Sequence, residues 1–95
     1  MEWRPLESKM FLAEAYDAER HILYLRFRSG DVYRYFDFPE DEHREFLNAE
    51  SHGRYFLGHI RDRFRYERMA KLHTAYSQHG LLRTLTLIVI KAQQR

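Results

Sequence analysis

The hydrophobic positions in the first half of the chain follow the pattern of β-strands. Residues 10–16 are mostly apolar and are followed by a turn-prone stretch at residues 17–20. Residues 22–28 and 32–38 are rich in β-branched and aromatic side chains, which favour strands. Between them, Gly30 can adopt the positive φ that hairpin turns require. The pattern therefore predicts a three-stranded antiparallel sheet whose second and third strands form a hairpin.

Helical features follow the third strand. Pro39 suits the first position of a helix, where its missing N–H costs nothing. Residues 40–42 are all acidic and oppose the positive end of the helix dipole. We expect this first helix to run to about Glu50 and to stop before a left-handed cap at Gly53.

A second helix is predicted to begin near Arg54. Its apolar stripe consists of Phe56, Leu57, Ile60 and Phe64. The stripe fails after these residues, and a second stripe in another direction consists of Tyr66, Met69, Ala70, His73 and Tyr76. We therefore expect either a bend or break near Arg65 or a helix that changes the surface it packs on, and a third helix in the C-terminal extension. Residues 84–90 favour an extra strand, although residues 81–89 also match helical spacing.

Tyr33 and Tyr35 are two residues apart on the third strand and must share one face of the sheet. The length of the hairpin turn decides which face that is, because a one-residue slip inverts every side chain. A two-residue turn creates an exposed platform for stacking bases that is made of Tyr24, Arg26, Tyr33 and Tyr35. A three-residue loop instead places the two tyrosines in the core beside Leu23, Leu25 and Phe27. Aromatic stripes are more often buried, but the sequence leaves both registers open.

Three arginines have the spacing of one helical face. Arg61, Arg65 and Arg68 fall at i, i+4 and i+7 of the predicted second helix. A guanidinium binds two phosphate oxygens at once, so such a stripe suits a nucleic-acid backbone. The alternative is an ordinary solvated helix face, partly neutralised by the acidic first helix.

Composition narrows the classes of function. The chain has 95 residues and no cysteine, which excludes disulfides and thiolate metal sites. Its net charge of +2 hides a polarity: residues 1–50 carry seven Lys and Arg against twelve Asp and Glu, and residues 51–95 carry nine against two. Such polarity indicates either neutralisation between the halves or a basic surface for an anionic partner. The six histidines are scattered and the four glycines stand alone, so we expect no metal, no cofactor and no catalysis.

An ordered series of short motifs resembles the KTSC domain, a module named for the C-terminus of some lysyl-tRNA synthetases that also occurs as a stand-alone bacterial protein. The matching positions are Ser8, Tyr16, Asp17, Leu23, Leu25, Phe27, Gly30, Tyr33, Tyr35, Pro39, Ala49, Ser51, Gly53, Tyr55, Phe56, Ile60 and Arg61. The resemblance covers the stretch from Ser8 to about Phe64. It implies a small α+β fold with no established biochemical activity and a suggested role in RNA binding.

The chain departs from the family pattern at two places. Glu42 and His43 stand where the first helix of the family usually carries an apolar pair, so we expect looser packing of that helix. Leu57 replaces a commonly polar residue and enlarges the apolar stripe. Residues after about Met69 lie outside the resemblance.

The sequence as a whole predicts an α+β protein with a leader at residues 1–9, a domain at 10–69 and a C-terminal extension at 70–95. The domain consists of a three-stranded antiparallel sheet with two helices on one face, and the extension of a third helix and an extra strand. We expect a cytoplasmic, non-catalytic module without a membrane span or small-molecule cofactor. RNA is its expected partner, and the predicted binding residues are Tyr24, Arg26, Tyr33, Tyr35, Arg61, Arg65 and Arg68. The alternative is protein interaction, including self-association through the segment from Thr84 to Ile90.

Overall fold

The computed structural model describes residues 1–71, which form an α+β domain. Its strands are β1 (Arg4–Pro5), β2 (Phe11–Asp17), β3 (Ile22–Phe27), β4 (Asp31–Tyr35) and β5 (Tyr66–Lys71). They form one antiparallel sheet in the order β1-β2-β3-β4-β5. Between β4 and β5 lie α1 (Glu40–Asn48) and α2 (His52–Tyr55), and α2 leads directly into a π-helical turn, Phe56–Ile60.

The sheet has five strands where the sequence predicts three. The short β1 pairs with β2 because Arg4 lies opposite Glu14 and bonds its carboxylate, while Pro5 is tolerated on an edge strand. At the other edge, Tyr66–Lys71 pairs with β4 and is not the start of a third helix. The break expected near Arg65 is present, because the π-helical turn ends at Ile60. The rest of the predicted third helix and the strand at residues 84–90 lie outside the described residues.

The β3–β4 hairpin has a three-residue loop. Leu25 pairs with Tyr33 and Leu23 with Tyr35, which leaves residues 28–30 as the loop. Gly30 has a φ of 101° and donates its N–H to the Phe27 carbonyl at 2.9 Å. Both tyrosines therefore lie on the helix-bearing side with the core, and the exposed platform expected from a two-residue turn is wrong.

The two helices begin as their sequences predict but end differently. The acidic residues 40–42 occupy the first turn of α1, which ends at Asn48. The hydroxyl of Ser51 accepts a hydrogen bond from the Arg54 N–H at 3.1 Å and caps α2. Gly53 is not a left-handed cap: it lies inside α2, where a Cβ would come within 3.4 Å of the Met10 side chain.

Apolar residues cover both faces of the sheet. On the helix face, which carries α1, α2 and the π-helical turn, the buried cluster consists of Phe11, Leu23, Leu25, Tyr35, Phe38, Phe46, Phe56 and Ile60. On the opposite rear face, the cluster consists of Ala15, Ile22, Tyr24, Val32 and Met69, with Trp3 and Phe36 packed against it. Within the described residues, no helix is long and apolar enough to cross a bilayer.

Glu14 is a fully buried carboxylate in this apolar core. Its Oε1 lies 2.8 Å from Nε2 of His43, which is also buried, and its Oε2 accepts from Arg4 Nε at 3.0 Å. The ring of Tyr16 stacks on His43 with 4.2 Å between ring centroids. His43, the polar residue on the inner side of α1, is thus paired with Glu14 on β2. The helix can therefore bury His43 without the looser packing that the sequence predicts.

Candidate functional site

A cleft of about 400 Å³ opens on the helix face, between the edge of the sheet and the π-helical turn. It is lined by Phe27, Ser29, Asp31, Tyr33, Tyr35, Phe56, Arg61, Asp62 and Tyr66. We call it the aromatic pocket, because five of these nine residues contribute rings. Strands β4 and β5 and the hairpin loop form one side, and the π-helical turn and the residues after it form the other.

The rings of the pocket contact one another as one cluster. Tyr33 and Tyr35 stack with 6.3 Å between centroids and 24° between planes. Tyr66, on the neighbouring strand, lies 5.6 Å from Tyr33 and 6.0 Å from Tyr35. Phe56 packs edge-on against Tyr35 at 5.8 Å. Tyr35 and Phe56 are buried and form the floor, while Tyr33 and Tyr66 are half-buried and can offer surface to a ligand.

Two arginines and a carboxylate lie at the rim. Arg61 lines the pocket and is mostly exposed, and among the described residues its side chain makes only a long 3.8 Å contact to Asp62. Arg68 lies opposite Tyr33 in the β4–β5 register, on the same face. Its Nη2 is 3.3 Å from Oδ1 of Asp31, whose other oxygen accepts from the Ser29 hydroxyl at 3.0 Å. The rim therefore carries the exposed guanidinium of Arg61 and the guanidinium of Arg68, which Asp31 holds in place.

Burial raises the pKa of two tyrosines in the pocket. Desolvation raises the pKa of Tyr33, and the nearby Asp31 carboxylate raises it further while Arg68 opposes the shift. Desolvation also raises the pKa of Tyr35 far above its usual range, with smaller effects from Tyr33 and Tyr66. The phenols of Tyr33 and Tyr35 therefore carry no charge that would repel a phosphate.

The shifted pKa of Tyr35 leads to a test of how the pocket is packed. An unfolded tyrosine ionises near pH 10, so the stabilising contribution of Tyr35 is complete below that pH and is lost as the pH rises above it. From pH 9 to pH 11, the wild type should lose about 1 kcal/mol more unfolding free energy than Tyr35→Phe does. Urea denaturation at the two pH values measures this difference. Parallel losses in the two proteins would show that Tyr35 is solvated.

The structure brings four of the seven predicted binding residues together. Tyr33, Tyr35 and Arg61 line the aromatic pocket, and Arg68 lies beside it. The arginines do not form a helical stripe, because the π-helical turn ends at Ile60 and Arg68 lies on a strand. Their proximity comes from β5 pairing with β4.

The other three predicted residues lie elsewhere. Tyr24 is buried on the rear face, and Arg26 lies there too, with its guanidinium 5.9 Å from the Trp3 ring centroid. Arg65 stacks on the ring of Phe36 at 4.4 Å, away from the pocket. These three positions are therefore removed from the candidate site.

Tyr66 and Phe56 are pocket residues that sequence reasoning did not assign to binding. Phe56 was placed in the core stripe, and it does reach the core, but its edge also forms the pocket floor. Tyr66 was assigned to a helix. The alternation of Tyr66 and Arg68 with Glu67 and Met69 was the available signal, since a strand places such pairs on opposite faces.

The KTSC domain model matches residues 7–64, more than half of the chain, so this protein belongs to the KTSC family. The resemblance seen between Ser8 and Phe64 is thereby confirmed. Among solved structures, a KTSC domain protein from Yersinia pestis is similar with a TM-score of 0.67 and 32% identity. That similarity covers 76% of this chain and 97% of the other.

Curated relatives show the same module in two settings. A small protein from Tsukamurella paurometabola is 40% identical over 62 residues, which are 65% of this chain and 92% of that protein. A lysine–tRNA ligase from a Nostoc species is 36% identical over 64 residues, 67% of this chain. The match spans only 11% of that ligase, and a match to the ligase of Trichormus variabilis spans 10%. Tyr66 and Arg68 lie just beyond the stretch that the family model covers.

Proposed function

We propose that this KTSC protein is a non-catalytic module that binds single-stranded RNA, with one nucleotide held in the aromatic pocket. The observation that carries the proposal is the meeting of three tyrosines and two arginines at one cleft. Proteins recognise unpaired nucleotides by this combination, in which rings stack on bases and guanidinium groups bind phosphates. Two of the relatives are lysine–tRNA ligases, whose name includes an RNA substrate, and this agrees with RNA as the class of partner.

The pocket's size favours a single base over a duplex. Ligand pockets usually enclose ~300–1,000 Å³, and this one, at about 400 Å³, lies at the small end. A base lying against the accessible surface of Tyr33 or of Tyr66 would stack on that ring. Its phosphate would then lie at the rim, where Arg61 is exposed.

A basic turn extends the rim of the pocket. Between the π-helical turn and β5, Arg61 and Arg63 both have exposed side chains. Arg63 is anchored by donating to the His59 carbonyl at 3.0 Å, and its contact to Glu42 is a loose 3.7 Å. Phosphates that flank the bound nucleotide would lie along this turn. Binding them would be a function for the basic residues in the second half of the chain.

Salt titration of the full chain with a labelled single-stranded RNA of mixed sequence tests the proposal. The logarithm of affinity should fall linearly with the logarithm of salt concentration, and Arg61→Gln should reduce the slope by about 0.7. Tyr33→Leu should weaken binding by about 5- to 150-fold, the value of one stacked base, with little change in slope. Fluorescence anisotropy measures both quantities.

Arg20→Gln is the matched control. Arg20 is an exposed arginine in the turn between β2 and β3, where it pairs with Asp17 at 3.4 Å. This variant should keep the wild-type slope within about 0.2, well below the loss of one phosphate contact. Absence of binding at low salt, or equal effects of Arg20→Gln and Arg61→Gln, would rule out the pocket as an RNA site.

A further inference from the structure

One carboxylate lies at the hairpin end of the aromatic pocket. Asp31, Tyr33 and Tyr35 occupy alternate positions on β4, so their side chains share one face of the sheet and line the same cleft. Alternate residues of a strand are about 7 Å apart, and a base that stacks on Tyr33 can therefore bring its hydrogen-bonding edge to Asp31. Desolvation raises the pKa of Tyr33 most, and the negative charge of Asp31 raises it further, which agrees with this proximity.

The Asp31 carboxylate is held in position and can still accept hydrogen bonds. Its Oδ1 lies 3.3 Å from Nη2 of Arg68, and its Oδ2 accepts from the Ser29 hydroxyl at 3.0 Å. The side chain of Asp31 is 26% exposed, whereas that of Asp62, the other carboxylate of the pocket, is 83% exposed. An ionised carboxylate has about four acceptor positions. Among the described residues, Arg68 and Ser29 occupy one position on each oxygen, so each oxygen keeps a position for a ligand.

We infer that the aromatic pocket selects guanosine over the other nucleosides of RNA. Among these bases, only guanine presents two adjacent donors, N1–H and the 2-amino group, on its Watson–Crick edge. A carboxylate accepts two parallel N–H groups at once, as it does from arginine. Adenine and cytosine place an acceptor beside their donor, and uracil has an acceptor on each side of its donor, so each would direct an acceptor at Asp31. This inference rests on the proposed function, because it names the base that the RNA site prefers.

The burial and fixed position of Asp31 make it the carboxylate that discriminates. A side chain that is already held loses little conformational freedom when a ligand binds. A base other than guanine would desolvate the carboxylate without supplying two donors in return, and such unpaired groups give hydrogen-bonding sites their selectivity. Asp62 remains in water and contributes little to the choice of base. A good bidentate contact to a base changes affinity by about 5- to 150-fold.

Short labelled oligouridylates that carry one central guanosine, adenosine or inosine test the inference with the full chain. By fluorescence anisotropy, the guanosine probe should bind about 5- to 150-fold more tightly than the adenosine probe. The inosine probe, which lacks the 2-amino donor, should lie between them. Asp31→Asn should abolish the preference for guanosine, because its amide replaces one acceptor with a donor. The ratio of two affinities within one variant does not change if part of the protein is unfolded.

Asp62→Asn is the matched control, because it removes the exposed carboxylate of the same pocket and should keep the preference for guanosine. Loss of the preference in Asp62→Asn, or its persistence in Asp31→Asn, would overturn the inference. Equal binding of all three probes by the wild type would overturn it as well, but would leave the proposed RNA site standing. Absence of binding to every probe at low salt would instead rule out the proposed function, and the choice of base with it.

Discussion

Replacing His43 with leucine should lower the free energy of unfolding by about 3 kcal/mol, even though it makes α1 more apolar. The reason is the carboxylate of Glu14, which is fully buried and would lose its 2.8 Å partner. Removing one member of a buried pair leaves the buried carboxylate less well compensated, and that penalty exceeds the gain from burying leucine. The remaining Arg4 contact, at 3.0 Å, holds the loss to the lower end of the usual range. Urea denaturation of the full chain measures it.

A double-mutant cycle separates this pairing from simple packing. If the pair is the cause, Glu14→Leu together with His43→Leu should be more stable than His43→Leu alone, because the buried charge is gone. Arg44→Leu, at the next position of α1, is the matched control and should change stability by less than about 0.5 kcal/mol, since Arg44 is exposed. Additive losses in the double variant would show that the two residues do not act as a pair.

The sequence alone could not reveal the pairing of Glu14 with His43, because local patterns do not show contacts between distant positions. Glu14 and His43 are 29 positions apart, and each looks like a surface residue in its own element. In addition, the β2–β3 register shifts between Phe11 and Ala13, so Phe11 and Glu14 share the helix face despite an odd spacing. A bulge of this kind breaks the strict alternation on which strand patterns depend.

The hairpin shows how far local chemistry determined the site. The sequence identified both strands and the turn, and it reduced the orientation of Tyr33 and Tyr35 to two alternatives. The observed loop is the three-residue type, with glycine at its last position in a positive-φ conformation. The three-residue length of the loop sets the register, and with it the pocket side of both tyrosines.

The final strand illustrates the opposite case. Tyr66, Met69 and Ala70 have helical spacing, and only pairing with β4, more than 30 positions away, makes the segment a strand. Non-local pairing of this kind overrides a weak helical pattern. Because this segment is a strand and not part of a helix, the predicted helical stripe of arginines is wrong. Arg61 and Arg68 are nevertheless brought to one pocket, because the turn after Ile60 reverses the chain beside the sheet.

Phe56→Ala should be the most damaging change near the pocket, with a loss of about 3–5 kcal/mol in the free energy of unfolding. Phe56 is 4% exposed and its ring lies 5.4 Å from Phe11, 5.6 Å from Phe27 and 5.8 Å from Tyr35. Truncation removes one of the two buried side chains, Phe56 and Ile60, that hold the π-helical turn to the sheet, and it leaves a cavity that joins the pocket. Urea denaturation gives the loss.

Leu57→Ala, at the next position of the same turn, is the control for Phe56→Ala. Leu57 is 44% exposed, and its truncation should cost less than about 1 kcal/mol. Equal losses in the two variants would mean that the turn is held by its backbone and not by Phe56.

Because Phe56→Ala removes much of the stability of a small domain, Phe56→Leu is the variant for measuring RNA binding. It keeps an apolar contact with the core but removes the ring beneath Tyr35, so RNA affinity should fall while the domain stays folded. The same side chain thus connects the stability of the sheet to the shape of the pocket.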